Sequence, residues 1–190
     1  TSDMSFITKV LRHKSINQTV FSLAELASID PTYSGPKLTS AIKYLVKNKE
    51  VVRISRGLYA LSNDYSVQEF ANKFRVPSYI SLYTVLFESG IVFQPYSSIY
   101  LVSQRSEKKE IGGITCLYRK IKDGILLNPL GIENINGVFK ASPERAICDK
   151  IYLDNDEYFD NLRNINWEKI NKINIEVYNN DQTISKWISA

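Results

Sequence analysis

The sequence predicts an α+β protein in two parts, on three observations. Before residue 50, apolar side chains recur at helical spacing: Phe6, Ile7, Val10 and Leu11, then Leu23, Leu26 and Ala27, then Leu38, Ala41, Ile42 and Leu45. Two β-prone runs then flank Ser55-Arg56-Gly57. Beyond residue 77, β-prone runs alternate with capped helical segments, as in a small sheet covered by several helices. The divisions are 4–62 for a first domain, 63–77 for a connection and 78–190 for a larger α+β domain.

The first helix is expected over residues 4–14. Val20-Phe21 is long enough only for a strand stub. Ser22 and Glu25 make the S-x-x-E of a capping box, whose side chains satisfy N–H groups that a first turn leaves unpaired. Leu23, Leu26 and Ala27 form the buried stripe of the second helix. Asp30-Pro31 stops it, because Pro disfavours the helical conformation in the residue before it. Pro36 suits the first position of a third helix, capped by Ser34 or Gly35. Leu38, Ala41, Ile42 and Leu45 face inward. At about 100° per residue, Ser40, Lys43, Tyr44 and Lys47 point the other way, flanked by Lys37 and Thr39. Residues 50–54 and 58–61 pair as a hairpin, and Gly57 allows the positive φ such a turn needs. Arg53 and Arg56 stand on or near its tip. Helix, turn, helix, hairpin is the layout of a winged helix-turn-helix.

One helix, SVQEFANKF, falls in the connection, which ends at Val76-Pro77. Ser78 is expected to cap a helix over 79–87 that is apolar nearly all round and therefore central, with Gly90 ending it. Residues 98–103 and 114–121 read as strands separated by the polar RSEKKEIGG, and 137–141 as a third strand. Ser142-Pro143-Glu144 opens a helix that turns Ile147, Cys148, Ile151 and Tyr152 to the core. Two weaker helical stretches follow, at 167–178 and 183–188.

The 190 residues are 44% hydrophobic and 23% charged, enough apolar material for a packed core. No run approaches the about 18–20 apolar residues that span a bilayer, and the first residues lack the apolar region of a signal peptide. Met4 is the only methionine, so Thr1-Ser2-Asp3 reads as a cloning remnant. Cys116 and Cys148 read as reduced core thiols of a cytoplasmic protein. The net charge of +4 is unevenly placed. Residues 1–62 hold nine basic and four acidic side chains, and the remainder holds 15 and 16. Positive charge thus gathers on the winged helix, where a phosphate backbone would require it. Hydroxyls on the third helix suit base edges in a major groove, its lysines suit phosphates or guanine, and the hairpin arginines suit phosphates or a minor groove. Lys37, Thr39, Ser40, Lys43, Tyr44, Lys47, Arg53 and Arg56 are the candidate DNA contacts. A solvated basic face fits the charge count equally well. Arg105, Lys108, Lys109, Arg119, Lys120 and Lys122 make a second basic surface if the 98–103 and 114–121 strands pair. Glu107 and Glu110 dilute it.

Four stretches carry a family resemblance by their order. They are Arg56-Gly57-Leu58-Tyr59, Pro77-Ser78-Tyr79-Ile80-Ser81-Leu82, Ile99-Tyr100-Leu101-Val102-Ser103 and Ala141-Ser142-Pro143-Glu144-Arg145-Ala146-Ile147-Cys148-Asp149. From about Phe6 to Trp187 the chain resembles the AbiEi antitoxins of AbiE-type toxin–antitoxin systems, which include abortive-infection loci. The resemblance implies a winged helix that represses its own operon by binding promoter repeats. It also implies a second domain that counters a nucleotidyltransferase-like toxin encoded next door, in several such systems without a stable complex (type IV). It carries no catalytic residues over. Two alternatives stay open: a plain repressor whose second domain senses a ligand or dimerises, and a winged helix that binds protein.

No enzyme chemistry is expected. His13 is the only histidine and falls near the end of a basic helix, where a lone histidine is far more often inert than the base of a Ser or Cys nucleophile scheme. With two separated cysteines it falls short of a zinc site. No phosphate-cradling glycine motif is present, and Gly112-Gly113 signals a turn. Asp154, Asp156, Glu157 and Asp160 lack the glycine and final glutamate of a calcium loop, so capping and solvation explain them. The toxin's own signature, Gly-Ser followed by paired aspartates on a strand, is missing. No cofactor or metal is expected.

Overall fold

A computed structural model describes residues 4–155 and 157–190. The reading of Thr1-Ser2-Asp3 as a cloning remnant, and the place of Asp156 in the acidic stretch, lie outside the described residues. Among those, nine helices and two sheets make an α+β chain. It divides into two compact units, Thr1–Phe74 and Arg75–Ala190.

In the first unit, α1 (Phe6–His13) begins where the Ser5 hydroxyl accepts the Thr8 N–H. β1 (Val20–Ser22) leads directly into α2 (Leu23–Ile29), where the Ser22 hydroxyl accepts the Glu25 N–H at 3.1 Å. Only this half of the capping box forms. The Glu25 carboxylate instead takes the Gln18 amide and the Lys73 ammonium. Leu26 is buried, but Leu23 is 42% exposed, contrary to the expected stripe. With seven residues in α2, one side chain reaches the core fully and Ala27 packs at its margin.

α3 (Gly35–Lys47) carries Pro36 in its first turn and buries Leu38, Ile42 and Leu45. These meet Phe6, Val10, Phe21, Leu26 and Val51 in one core. β2 (Val52–Ser55) and β3 (Leu58–Ala60) form the expected hairpin, with Gly57 at φ +76°. β1 joins it, giving a three-stranded antiparallel sheet in the order β1-β3-β2. Phe21 and Tyr59 are register partners, so both face the helical core, while Val20 and Ala60 face the other way.

α4 (Val67–Phe74), assigned by sequence to the connection, packs against β1 and β3 of the first unit. Its Glu69, 2% exposed, accepts the Thr19 N–H at 3.0 Å, the Thr19 hydroxyl at 2.7 Å and the Val20 N–H at 3.1 Å. Lys73 beside it donates to the Val20 carbonyl at 2.6 Å. Truncating Glu69 leaves these buried donors unmatched. Glu69→Ala is expected to cost about 3 kcal/mol of unfolding free energy in urea, and Glu69→Gln clearly less, since an amide oxygen still accepts. A loss of only a few tenths for the alanine variant would show that α4 is not bonded on this way.

The second unit is built on a six-stranded mixed sheet in the order β6-β7-β5-β4-β9-β8. Its strands are β4 (Ser78–Ile80), β5 (Ile99–Ser103), β6 (Glu107–Ile111), β7 (Ile114–Lys120), β8 (Ile132–Ile135) and β9 (Val138–Ala141). Its helices are α5 (Leu82–Glu88), α6 (Asp123–Leu126), α7 (Pro143–Asp154), α8 (Trp167–Glu176) and α9 (Gln182–Ser189). One expectation needs correction, and two strands were not expected. Ser78 caps no helix: Ser78, Tyr79 and Ile80 are a buried inner strand, and α5 starts only after Ser81. The polar segment after β5, to which the sequence assigned no element, is the edge strand β6, paired antiparallel with β7 across Gly112-Gly113. β8, unforeseen, pairs with β9 across Asn136-Gly137, both at positive φ. α7 lies at the centre and packs against α5, α8 and α9. Its Ile147, Cys148 and Ile151 are buried, and Tyr152 is half-buried against the Tyr178 ring. Both cysteines are free and buried, and burial raises both thiols, Cys116 to about 11. No described helix is long and apolar enough to cross a membrane.

Candidate nucleic-acid interface

The sequence-selected residues of α3 all reach solvent. Lys37, Thr39, Ser40, Lys43, Tyr44 and Lys47 are exposed on the face opposite Leu38, Ile42 and Leu45. Tyr44 stands out at 65% exposure. The two hydroxyls differ. Thr39 Oγ1 donates back to the Gly35 carbonyl at 3.2 Å, so its proton is committed, whereas the Ser40 hydroxyl has no such partner among the described residues.

The hairpin adds two guanidiniums. Arg53 is the register partner of Tyr59 and so lies on the sheet face that packs on the helices, yet it is exposed. The pairing shifts between Arg53 and Ser55, a bulge that bends β2 just before its turn. Arg56 is exposed within that turn. The Gly57 carbonyl accepts the Leu23 N–H at 2.9 Å, which ties the hairpin end to the start of α2.

The turn between α2 and α3 is closed by side chains that sequence reading passed over. The Asp30 carboxylate accepts the Thr32 N–H at 2.9 Å and the Thr32 hydroxyl at 2.8 Å, and pairs with Lys9. The Lys9 ammonium and the Thr32 donors hold the Asp30 carboxyl well below the ordinary range. Tyr33 packs on Phe6 at 4.7 Å between ring centroids, and the Lys37 ammonium lies 4.6 Å from the Tyr33 centroid. A tyrosine four residues before a lysine across a helix start was the available signal.

Charge balance separates this surface from the second basic cluster. Among the described residues, no carboxylate lies within ion-pair distance of Lys37, Lys43, Lys47, Arg53 or Arg56. In the second unit, β5 and β7 do pair, in parallel, but several of the cations there are already matched. Arg119 makes two bonds to Asp154, at 2.9 and 3.2 Å. Lys108 meets Glu110 at 3.2 Å, and Arg105 lies 3.8 Å from Glu107, which also binds Arg75. Lys108 and Lys109, as strand neighbours, point to opposite faces of β6. Lys120 and Lys122 are exposed.

The other large polar assembly is sealed. Arg145 and Asp149, one turn apart on α7, are both 0% exposed. The Arg145 guanidinium donates to the carbonyls of Ile125, Asn128 and Leu130 at 2.8, 3.1 and 2.5 Å, and to the Tyr79 hydroxyl at 3.3 Å. Asp149 accepts from Tyr79 at 3.0 Å, from Ser81 at 2.7 Å and from Tyr178. Burial pushes the Asp149 carboxyl up, against the pull of Arg145 and the hydroxyl donors. Gly131 permits the close approach of this backbone: at φ +80°, a Cβ there would meet the Arg145 Cβ at 3.0 Å. The assembly ties β4, the 125–130 segment, α7 and Tyr178 together and presents nothing to a ligand. Among the described residues, no group of three or more His, Cys, Asp or Glu side chains gathers as a metal site.

No protein-family model matches the chain, and no curated protein matches it.

Proposed function

We propose that this chain is a cytoplasmic winged-helix repressor that binds double-stranded promoter DNA at repeats and serves as the antitoxin of an AbiE-type pair. One observation carries the DNA reading: five exposed cations on α3 and the β2–β3 hairpin have no carboxylate partner among the described residues. Unmatched cations on one small unit are what a polyanion neutralises, releasing its own counterions. The dimensions agree. Thirteen helical residues extend about 20 Å, and a helix about 10–12 Å across enters a major groove about 12 Å wide. In that pose Ser40 and Tyr44 reach base edges, the lysines reach phosphates or guanine, and Arg53 and Arg56 follow the backbone or enter the minor groove. The antitoxin role is supported by the order of the four resembling stretches along the chain, from Arg56-Gly57-Leu58-Tyr59 to Ala141–Asp149.

Two measurements test the two halves. Mobility shift on the DNA upstream of its own operon should show binding that weakens steeply with salt; no shift at low salt would end the repressor reading. Co-expression with the neighbouring nucleotidyltransferase-like toxin, made from a foreign promoter, should restore growth. A simple repressor would not do so.

A further inference from the structure

Lys37 differs from the other cations of α3 in having a ring beneath it. Its ammonium lies 4.6 Å from the Tyr33 centroid, whereas no ring contact is made by Lys43 or Lys47 among the described residues. Tyr33 is itself fixed. It packs on the buried Phe6, and its N–H donates to the Asp30 carbonyl at 2.9 Å in the turn that Thr32 and Lys9 close. A free lysine gives up most of its rotamer freedom when it grips a phosphate. A lysine already lying on an aromatic face gives up less, and its outward N–H groups still point to solvent.

The geometry points to Tyr33 as a positioning residue that pre-orients the Lys37 ammonium for a phosphate at the start of α3, an inference that rests on the duplex-binding reading above. Tyr33 touches no DNA in this scheme; it acts through Lys37.

The test uses the full chain and a mixed-sequence DNA duplex of two helical turns, at several salt concentrations. Tyr33→Leu keeps an apolar body against Phe6 and removes the ring. It should weaken binding about two- to fivefold, the range of an exposed cation–π contact, and leave the salt slope unchanged. Lys37→Ala should weaken binding and lower the slope by about 0.9. The double variant should match Lys37→Ala, and Tyr33→Phe should bind like the unmodified chain. A readout independent of any variant is the Lys37 ε-methylene proton shift, expected upfield in the unmodified chain from the ring current. An ordinary ε-methylene frequency would overturn the inference. So would Tyr33→Leu binding at full strength, or losses that add in the double variant. If the unmodified chain failed to bind the duplex at low salt while the methylene stayed upfield, the duplex reading itself would have failed.

Discussion

Replacing Lys43, Lys47, Arg53 and Arg56 together by glutamate is expected to lower affinity for promoter DNA by on the order of a thousandfold, at about 1 kcal/mol or more per lost contact. The salt dependence should flatten as well, by about 0.9 in the log–log slope for each phosphate contact removed. All four side chains are exposed and make no ion pair among the described residues, so the variant should keep its circular dichroism spectrum and melting temperature. The matching control reverses Lys108 and Arg119, whose charges Glu110 and Asp154 already neutralise. That pair should change affinity far less. Unchanged promoter binding by the quadruple variant would remove α3 and its hairpin as the contact surface. A larger effect from the control would move the interface to the second unit.

Asp149→Ala is expected to destabilise the second unit by about 3–5 kcal/mol, measured by urea unfolding. The substitution leaves the Arg145 guanidinium buried without its counter-charge and strands the hydroxyls of Tyr79, Ser81 and Tyr178. The lock also holds a strained residue: Leu82, 1% exposed at φ +56°, directly follows Ser81, which Asp149 holds, and its relaxation in the variant offsets a small part of the loss. Replacing both members, Arg145→Met with Asp149→Leu, should recover a large part of the loss, because no lone charge then remains inside. A cost below about 1 kcal/mol for Asp149→Ala would show that the pair does not lock these elements.

The elements that carry the DNA reading were legible because each had a local cause. Pro36 and the Leu38, Ile42 and Leu45 spacing announce α3, and Gly57 between β-prone runs announces the hairpin. The misread elements lacked such a cause or had a competing one. Tyr79 and Ile80 are buried on both sides of an inner strand, and a short run that is apolar throughout does not distinguish strand from helix. In β6, Glu107 to Glu110 are all charged because the strand lies at the sheet edge, where charges keep foreign strands away but also erase any alternation of polarity. β8 has the same edge position and the same faint pattern. In the interface, exposure was legible and pairing was not. Nothing local shows that Arg119 meets Asp154, 35 positions away, while Lys43 meets no carboxylate among the described residues. The lock on α7 did leave a mark: Arg145 and Asp149, at helix-pair spacing, enclose Ala146, Ile147 and Cys148, an apolar setting where opposite charges are commonly partnered.

Glu69 also decides where the N-terminal half can be cut. A fragment stopping after the hairpin at Leu61 would look complete on a contact diagram of helices and strands, yet it would expose the amides of Thr19 and Val20 and leave Glu25 without its lysine. A piece that keeps these bonds therefore runs at least through Lys73, and a shorter one is expected to be partly molten at its first strand.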